Sequence, residues 1–287
     1  MLDGATLLSP MTGVLVEHAE CGRWGGRLTQ RPLPEHDASI DALSPRDRKR
    51  LGEIWLLRAA MERRVADSFE VIHASLARRG ASRELVELAS RAVDDEYRHT
   101  ELSRLVASRF AGRELPTPER LVLEVPAHKG ASPELRDTLF IVGQCVLNET
   151  TASAFLETCH AHAEGPLAKS ALRELLSDEI EHGRMGWTYL ASVDDRTRAE
   201  VGRWLLPMAY LNLRIWKKES PHDPTHSDAL VAHGAPPASL LHEALVDAVA
   251  TLIVPGLREL GIATEAIDAW LDAGAYTDRA PTEFLPR

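Results

Sequence analysis

Asp178-Glu179-Ile180-Glu181-His182 and, upstream, Asp95-Glu96-Tyr97-Arg98-His99 are two copies of one pattern, Asp-Glu-x-x-His, each inside a long run of helical periodicity. At 3.6 residues per turn, positions three apart differ by about 60° and by about 4.5 Å along the axis. Glutamate and histidine therefore leave the same face, as a carboxylate oxygen and an imidazole nitrogen do when they share a metal ion. A single Glu-x-x-His carries little weight, since random placement of 26 Glu and 12 His in 287 residues yields about one. Two copies, both preceded by Asp and both on the apolar stripe of their helix, are far less frequent by accident.

Cap signals on either side divide the chain into helices. Ser44-Pro45 supplies an N-cap and an N1 proline for a helix reaching Arg79, with Trp55, Ala59, Ala66 and Phe69 on its apolar stripe and Gly80 at its end. Ser82 caps a second helix to about Phe110. Residues 113–131 hold three prolines and read as a long crossover. Ser132-Pro133 opens a third helix to about Ala163, and Gly165-Pro166 turns into a fourth that ends near Val193. A fifth follows to about Lys218 with Pro207 as a kink point. A Pro/His-rich loop (219–237), a sixth helix (238–260), a short seventh (264–273) and a polar tail complete the chain. Only the first arm, with its Gly-Val-Leu-Val piece, offers strand character.

The expected fold is all-α. Residues 1–44 form an irregular N-terminal arm, 45–193 a metal-binding four-helix bundle with one long crossover, and 194–287 two to three additional helices and a tail packed on the bundle.

Two Glu-x-x-His pairs provide four ligands, and the partner helix of each hairpin should add a carboxylate. Glu62 and Glu70 are the candidates on the first helix, Glu149 and Glu157 on the third. Glu62 lies on the stripe of Trp55, Ala59, Ala66 and Phe69, whereas Glu70 falls in line with Arg63 and Asp67, which read as solvated. Counted from the hairpin turns, Glu62 is level with Glu96 and His99, and Glu149 with Glu179 and His182. Glu70 and Glu157 sit about two turns too near the loops. Face and height select Glu62, Glu96, His99, Glu149, Glu179 and His182. Four carboxylates buried together are costly unless neutralised, and two divalent cations leave the cluster neutral. The oxygen and nitrogen donors suit iron or manganese. The alternative is a set of protonated or salt-bridged core residues.

With Glu62…Asp95-Glu96-x-x-His99 and Glu149…Asp178-Glu179-x-x-His182, residues 45–193 resemble the ferritin-like di-iron carboxylate superfamily, and Asp-Glu-x-Arg-His resembles its oxygen-activating members. The resemblance implies two iron ions (with Mn/Fe or Mn/Mn pairs as variants), O2 and a small organic substrate as reactants, and an external electron donor. It further implies that Asp95 holds His182 and Asp178 holds His99 from behind, with Arg98 beside them; the alternative is solvated aspartates. Glu181 stands where a second arginine would be expected. The implied activity is a non-haem di-iron oxygenase or oxidase that hydroxylates, desaturates or N-oxygenates its substrate. Ferritin-type iron oxidation and storage, a manganese catalase or Mn/Fe oxidase, and a metal-free helical binding protein are the competing readings. Leu175 occupies the position of an extra histidine found in the p-aminobenzoate N-oxygenase branch, which disfavours that subgroup.

Trp55, Phe69 and Cys145 are candidates for lining a substrate pocket, while Trp204, Met208, Tyr210 and Trp216 of the fifth helix are expected to cover the bundle, with a pocket wall as their alternative role. His73 and His160, each eleven residues after a selected glutamate, are expected to point inward about 16 Å from the metals. His222, His226 and His233 read as solvated. The net charge of −10 argues against a nucleic-acid surface. No apolar run reaches 18 residues, so no membrane span is expected, and MLDGATLLSP lacks the basic segment of a secretory signal. Cys21, Cys145 and Cys159 match no zinc spacing, and a reducing, cytoplasmic setting follows. Dimerisation stays open.

Overall fold

The computed structural model describes residues 12–14, 28–219 and 226–274, and within them the protein is overwhelmingly helical. Helix α1 (Ala38–Asp41) precedes the long helices α2 (Pro45–Arg78) and α3 (Arg83–Ala111). The serine caps act as the sequence implies: Ser44, Ser82 and Ser132 accept from the backbone N–H of Asp47, Leu85 and Leu135 at 3.1, 3.3 and 3.2 Å. Gly112 ends α3 with φ of 65°, a left-handed conformation that β-carbon sterics make costly for other residues.

After the crossover, α4 (Pro133–His162) and α5 (Pro166–Ser192) form the second hairpin. Helix α4 is not uniform. Val142–Asn148 is π-helical, so the N–H of Glu149 reaches back to the carbonyl of Gln144 rather than to Cys145. No residue type announces such a turn, and it is absent from the sequence-based expectation. Helices α2 and α3 pack along their length, α4 packs on α5, and α3 packs on α5, which brings the two Asp-Glu-x-x-His helices side by side.

Helix α6 (Asp195–Glu219) continues through Pro207, followed by α7 (Asp228–Ala232), α8 (Ala238–Glu259, π-helical at Val249–Ile253) and α9 (Glu265–Asp272). Their apolar faces share one core with the outer side of α4: Val142, Val146 and Leu147 meet Leu205, Ala209, Leu213, Leu245 and Ile253. Besides the π-helical turn and α1, which lies in the arm expected to be irregular, two features depart from expectation. The crossover contains a strand, β2 (Leu123–Val125), paired antiparallel with β1 (Thr12–Val14) of the arm. The 219–237 segment contains α7, while His222 and Cys21 lie outside the described residues.

The arm also supplies a missing cap. Gly165 has no side chain to satisfy the first turn of α5, and buried Asp37 does so from 130 residues away, its Oδ2 accepting from Leu167 N–H at 2.9 Å. Among the described residues two helices have a mean hydropathy and length sufficient to cross a membrane, Pro133–His162 and Ala238–Glu259, although neither has an uninterrupted apolar run of that length. The first is a core helix that carries Glu149 to the interior.

Candidate metal centre

Helices α3 and α5 turn their Glu-x-x-His pairs toward each other. Glu96 and His99 have no solvent exposure, and Glu179 and His182 have 2% and 3%. The two imidazole centroids are 6.0 Å apart. Both rings aim Nδ1 into the space between the helices. His99 Nδ1 lies 3.5 Å from Glu96 Oε2 and 3.4 Å from Glu179 Oε1, and His182 Nδ1 lies 3.0 Å from Glu96 Oε1 and 3.5 Å from Glu179 Oε2. Each imidazole therefore meets a carboxylate from both hairpins.

Helices α2 and α4 add one carboxylate each. Glu149 is 1% exposed, and its Oε2 lies 4.0 Å from His182 Nδ1. Its other oxygen, Oε1, accepts from Gln144 Nε2 at 2.5 Å and Asn148 Nδ2 at 3.4 Å, both residues of the π-helical turn. Glu62 is surrounded by protein, with part of its surface turned to an internal cavity. The donor atoms fall into two overlapping groups, Glu62–Glu96–His99–Glu179 and Glu96–Glu149–Glu179–His182, with all atoms of a group within 4.8 Å of one another. Glu96 and Glu179 belong to both.

Each group could hold a metal ion, and the polar atoms left unmet agree with that. Both Glu96 oxygens, Glu179 Oε2 and Nδ1 of both histidines are buried without a hydrogen-bond partner. An unsatisfied buried polar atom costs about 1–3 kcal/mol, more when charged. A cation at the centre of each group would meet all five atoms and offset the carboxylate charge.

Behind the imidazoles the two aspartates cross between hairpins. Asp178 of α5 lies 3.0 Å from His99 Nε2, while Asp95 of α3 lies 3.6 Å from His182 Nε2, beyond hydrogen-bond reach. Buried Arg98 joins them, donating through Nη2 to Asp178 and to Asp95 (3.1 Å for the latter), and through Nη1 to Leu28 O of the arm at 3.4 Å. One arginine thus serves both halves. Glu181, where a second would be expected, is exposed and pairs with Arg184 at 2.6 Å.

Without cations the cluster holds protons. Burial, then the charges of Glu96 and Glu179, push Glu62 well above the usual carboxylate range, and burial with the charge of Glu179 does the same to Glu149. Burial disfavours imidazolium at His99 and His182, but Asp178 and Asp95 respectively, with Glu179 and Glu96, outweigh it and raise both. Burial also opposes ionisation of Glu179, yet its close approach to Glu149 and to the imidazoles of His182 and His99 holds it well below the usual range. A raised pKa keeps the proton on its group to higher pH, so a divalent ion must displace such protons, and lowering the pH favours the proton. Fe(II) or Mn(II) uptake is expected to release protons and to weaken as the pH is lowered, measured by calorimetry in buffers of different ionisation enthalpy. Uptake with no proton release would contradict this protonation pattern.

A cavity of about 380 Å³ ends at Glu62, Glu149 and Glu179, with Met61, Phe155 and Trp216 among its apolar lining. The expected pocket residues need correcting: Trp55, Phe69 and Cys145 are fully buried and do not line it. Phe69 instead packs its ring 5.0 Å from that of His182, and Cys145 backs onto Gly186 of α5. Trp216 of the fifth helix does line the cavity. Of the rejected carboxylates, Glu157 is exposed, and Glu70 is partly buried and accepts from Tyr97 Oη at 3.0 Å.

Asp67, expected in water, is 2% exposed because Arg120 from the crossover covers it at 2.8 Å. His73 and His160 are only partly buried. His233, read as solvated, is 3% exposed, and its carbonyl accepts from Trp55 Nε1 at 3.2 Å. Gln144, Asn148 and Arg58 were not identified from sequence. Each contributes through geometry that a straight-helix pattern does not contain. Compared with known proteins, the chain matches no family model and no curated relative.

Proposed function

We propose that this protein is a ferritin-like, non-haem di-iron oxidoreductase that uses O2 to hydroxylate, desaturate or N-oxygenate a small organic substrate. The observation that carries the reading is a pair of overlapping buried carboxylate–imidazole groups, sharing Glu96 and Glu179, at the inner end of an apolar cavity. The two helical hairpins and single long crossover accord with that class. Iron held there would supply the electrons that O2 chemistry requires.

The chain's own residues do the rest. Glu96 and Glu179, common to both donor groups, would serve both ions, with Glu62 and His99 completing one group and Glu149 and His182 the other. With a metal held, Asp178 would accept a hydrogen bond from Nε2–H of His99, 3.0 Å away, which would leave the Nδ1 lone pair to face inward. The apolar wall keeps bulk water from the reacting atoms, which strengthens the electrostatic interactions inside. Reactants are O2 and an organic molecule small enough for the cavity, with electrons from an external donor in a cytoplasmic setting and no nucleic-acid partner.

The test is anaerobic Fe(II) loading with metal analysis, followed by rapid exposure to O2. About two irons per chain with a transient visible absorption and stoichiometric O2 uptake supports the reading. Many irons per chain in a ferric core would favour storage, and no bound iron a binding protein. Either result would overturn the proposal.

A further inference from the structure

Arg58 lines the cavity and is 7% exposed. Its guanidinium lies over the Trp55 ring at 4.3 Å and near the Phe155 ring at 5.6 Å. Nη2 donates to Gly234 O at 3.3 Å and lies 3.8 Å from Cys159 Sγ. Nη1 is buried and has no partner. A guanidinium stays charged at every accessible pH, and a buried cation is costly unless paired.

Among the described residues no carboxylate forms an ion pair with Arg58. Cys159 does not compensate either, because burial pushes its thiol up to about 11 and keeps it neutral. Glu62, one turn along α2, feels the Arg58 charge but forms no ion pair with it, its donor atom lying among those of Glu96, His99 and Glu179. At the rim, Arg50 and Glu53 pair with each other at 3.6 Å. The charge that Arg58 lacks is therefore to be supplied from the cavity.

We infer that the substrate is an organic carboxylate with an apolar body, its carboxylate bound by Arg58 and its body lying in the cavity toward Glu62, Glu149 and Glu179. The planar fork of the guanidinium matches a carboxylate, and stacking on Trp55 holds the fork in one orientation. Arg58 precedes Glu62 by four residues, about 6 Å along the helix axis. The anchored end thus sits close to the proposed metal centre, and carbons a few bonds from the carboxylate are those brought to it. The assignment refines the substrate class of the proposed enzyme and rests on the cavity being its substrate chamber.

The test is equilibrium binding, by calorimetry and by intrinsic tryptophan fluorescence, of octanoate, benzoate and 4-phenylbutyrate against their matching primary amides. Measurements use both the metal-free and the iron-loaded full chain. At least one carboxylate is expected to bind ten times more tightly than its amide. Arg58→Met should abolish that preference, and Arg58→Lys should restore part of it. A wild-type protein that holds no carboxylate more tightly than its amide overturns the inference without requiring any variant to fold. Unchanged carboxylate preference in Arg58→Met also overturns it. Because the readout is binding, these results are independent of whether iron loading and O2 uptake succeed.

Discussion

Glu179→Ala is expected to take iron binding from about two ions per chain to below one, the largest loss of any single carboxylate substitution outside Glu96. Glu96 and Glu179 each belong to both donor groups, so removing either strips a ligand from both. Glu149→Ala affects only the group containing His182, and about one ion should remain. Glu157→Ala, at an exposed position eight residues after Glu149 on the same helix, should leave iron binding unchanged. A tenfold loss of affinity corresponds to about 1.4 kcal/mol, and removing one charged ligand exceeds that comfortably. Metal analysis after anaerobic loading and desalting reads the series. Equal losses for Glu149→Ala and Glu157→Ala would refute the assignment of donors, as would two retained ions in Glu179→Ala.

Gly186→Ala should cost about 3 kcal/mol or more and lower the thermal midpoint by roughly 6–10 °C. A β-carbon at Gly186 would stand 2.6 Å from the carbonyl carbon and Cβ of Cys145 and 2.7 Å from its oxygen. Those atoms are mainly backbone, inside the π-helical turn, and cannot swing aside as a flexible side chain does. Helices α4 and α5 would have to separate where one carries Glu149 and the other His182, so iron affinity should fall with stability. Gly183→Ala is the control on the same helix. Its added methyl meets nothing nearer than Thr150 Oγ1 at 3.9 Å, and replacing a mid-helix glycine stabilises by about 0.5–1 kcal/mol. Thermal denaturation of both variants decides it. A Gly186→Ala protein as stable as wild type would show that the close approach of α4 to α5 is not required.

Much of the molecule was legible because its signals are local. Ser44-Pro45, Ser82 and Ser132-Pro133 cap helices through contacts spanning three residues. The separation of Glu149 from Glu157 followed from counting residues back to a turn. The cross-pairing of Asp178 with His99 came from resemblance, and the structure places those atoms at 3.0 Å. Other features depend on distant groups. Asp37 caps a helix 130 residues away, β2 pairs with the arm, and Arg120 buries an aspartate that helix phase alone puts in water. The π-helical turn before Glu149 has no compositional mark at all.

By itself, the amino-acid sequence determined the helices and the six side chains that project from their buried faces, because helical periodicity and capping are properties of short segments. Only the tertiary structure decided that Glu96 and Glu179 belong to both groups, that one arginine serves both aspartates, and that a cavity reaches the cluster past Arg58 while Trp55, Phe69 and Cys145 stand outside it. The reason is geometric. A cavity is what remains between docked helices, and an unpaired charge is the outcome of every neighbour's position at once, neither of which any stretch of sequence carries alone.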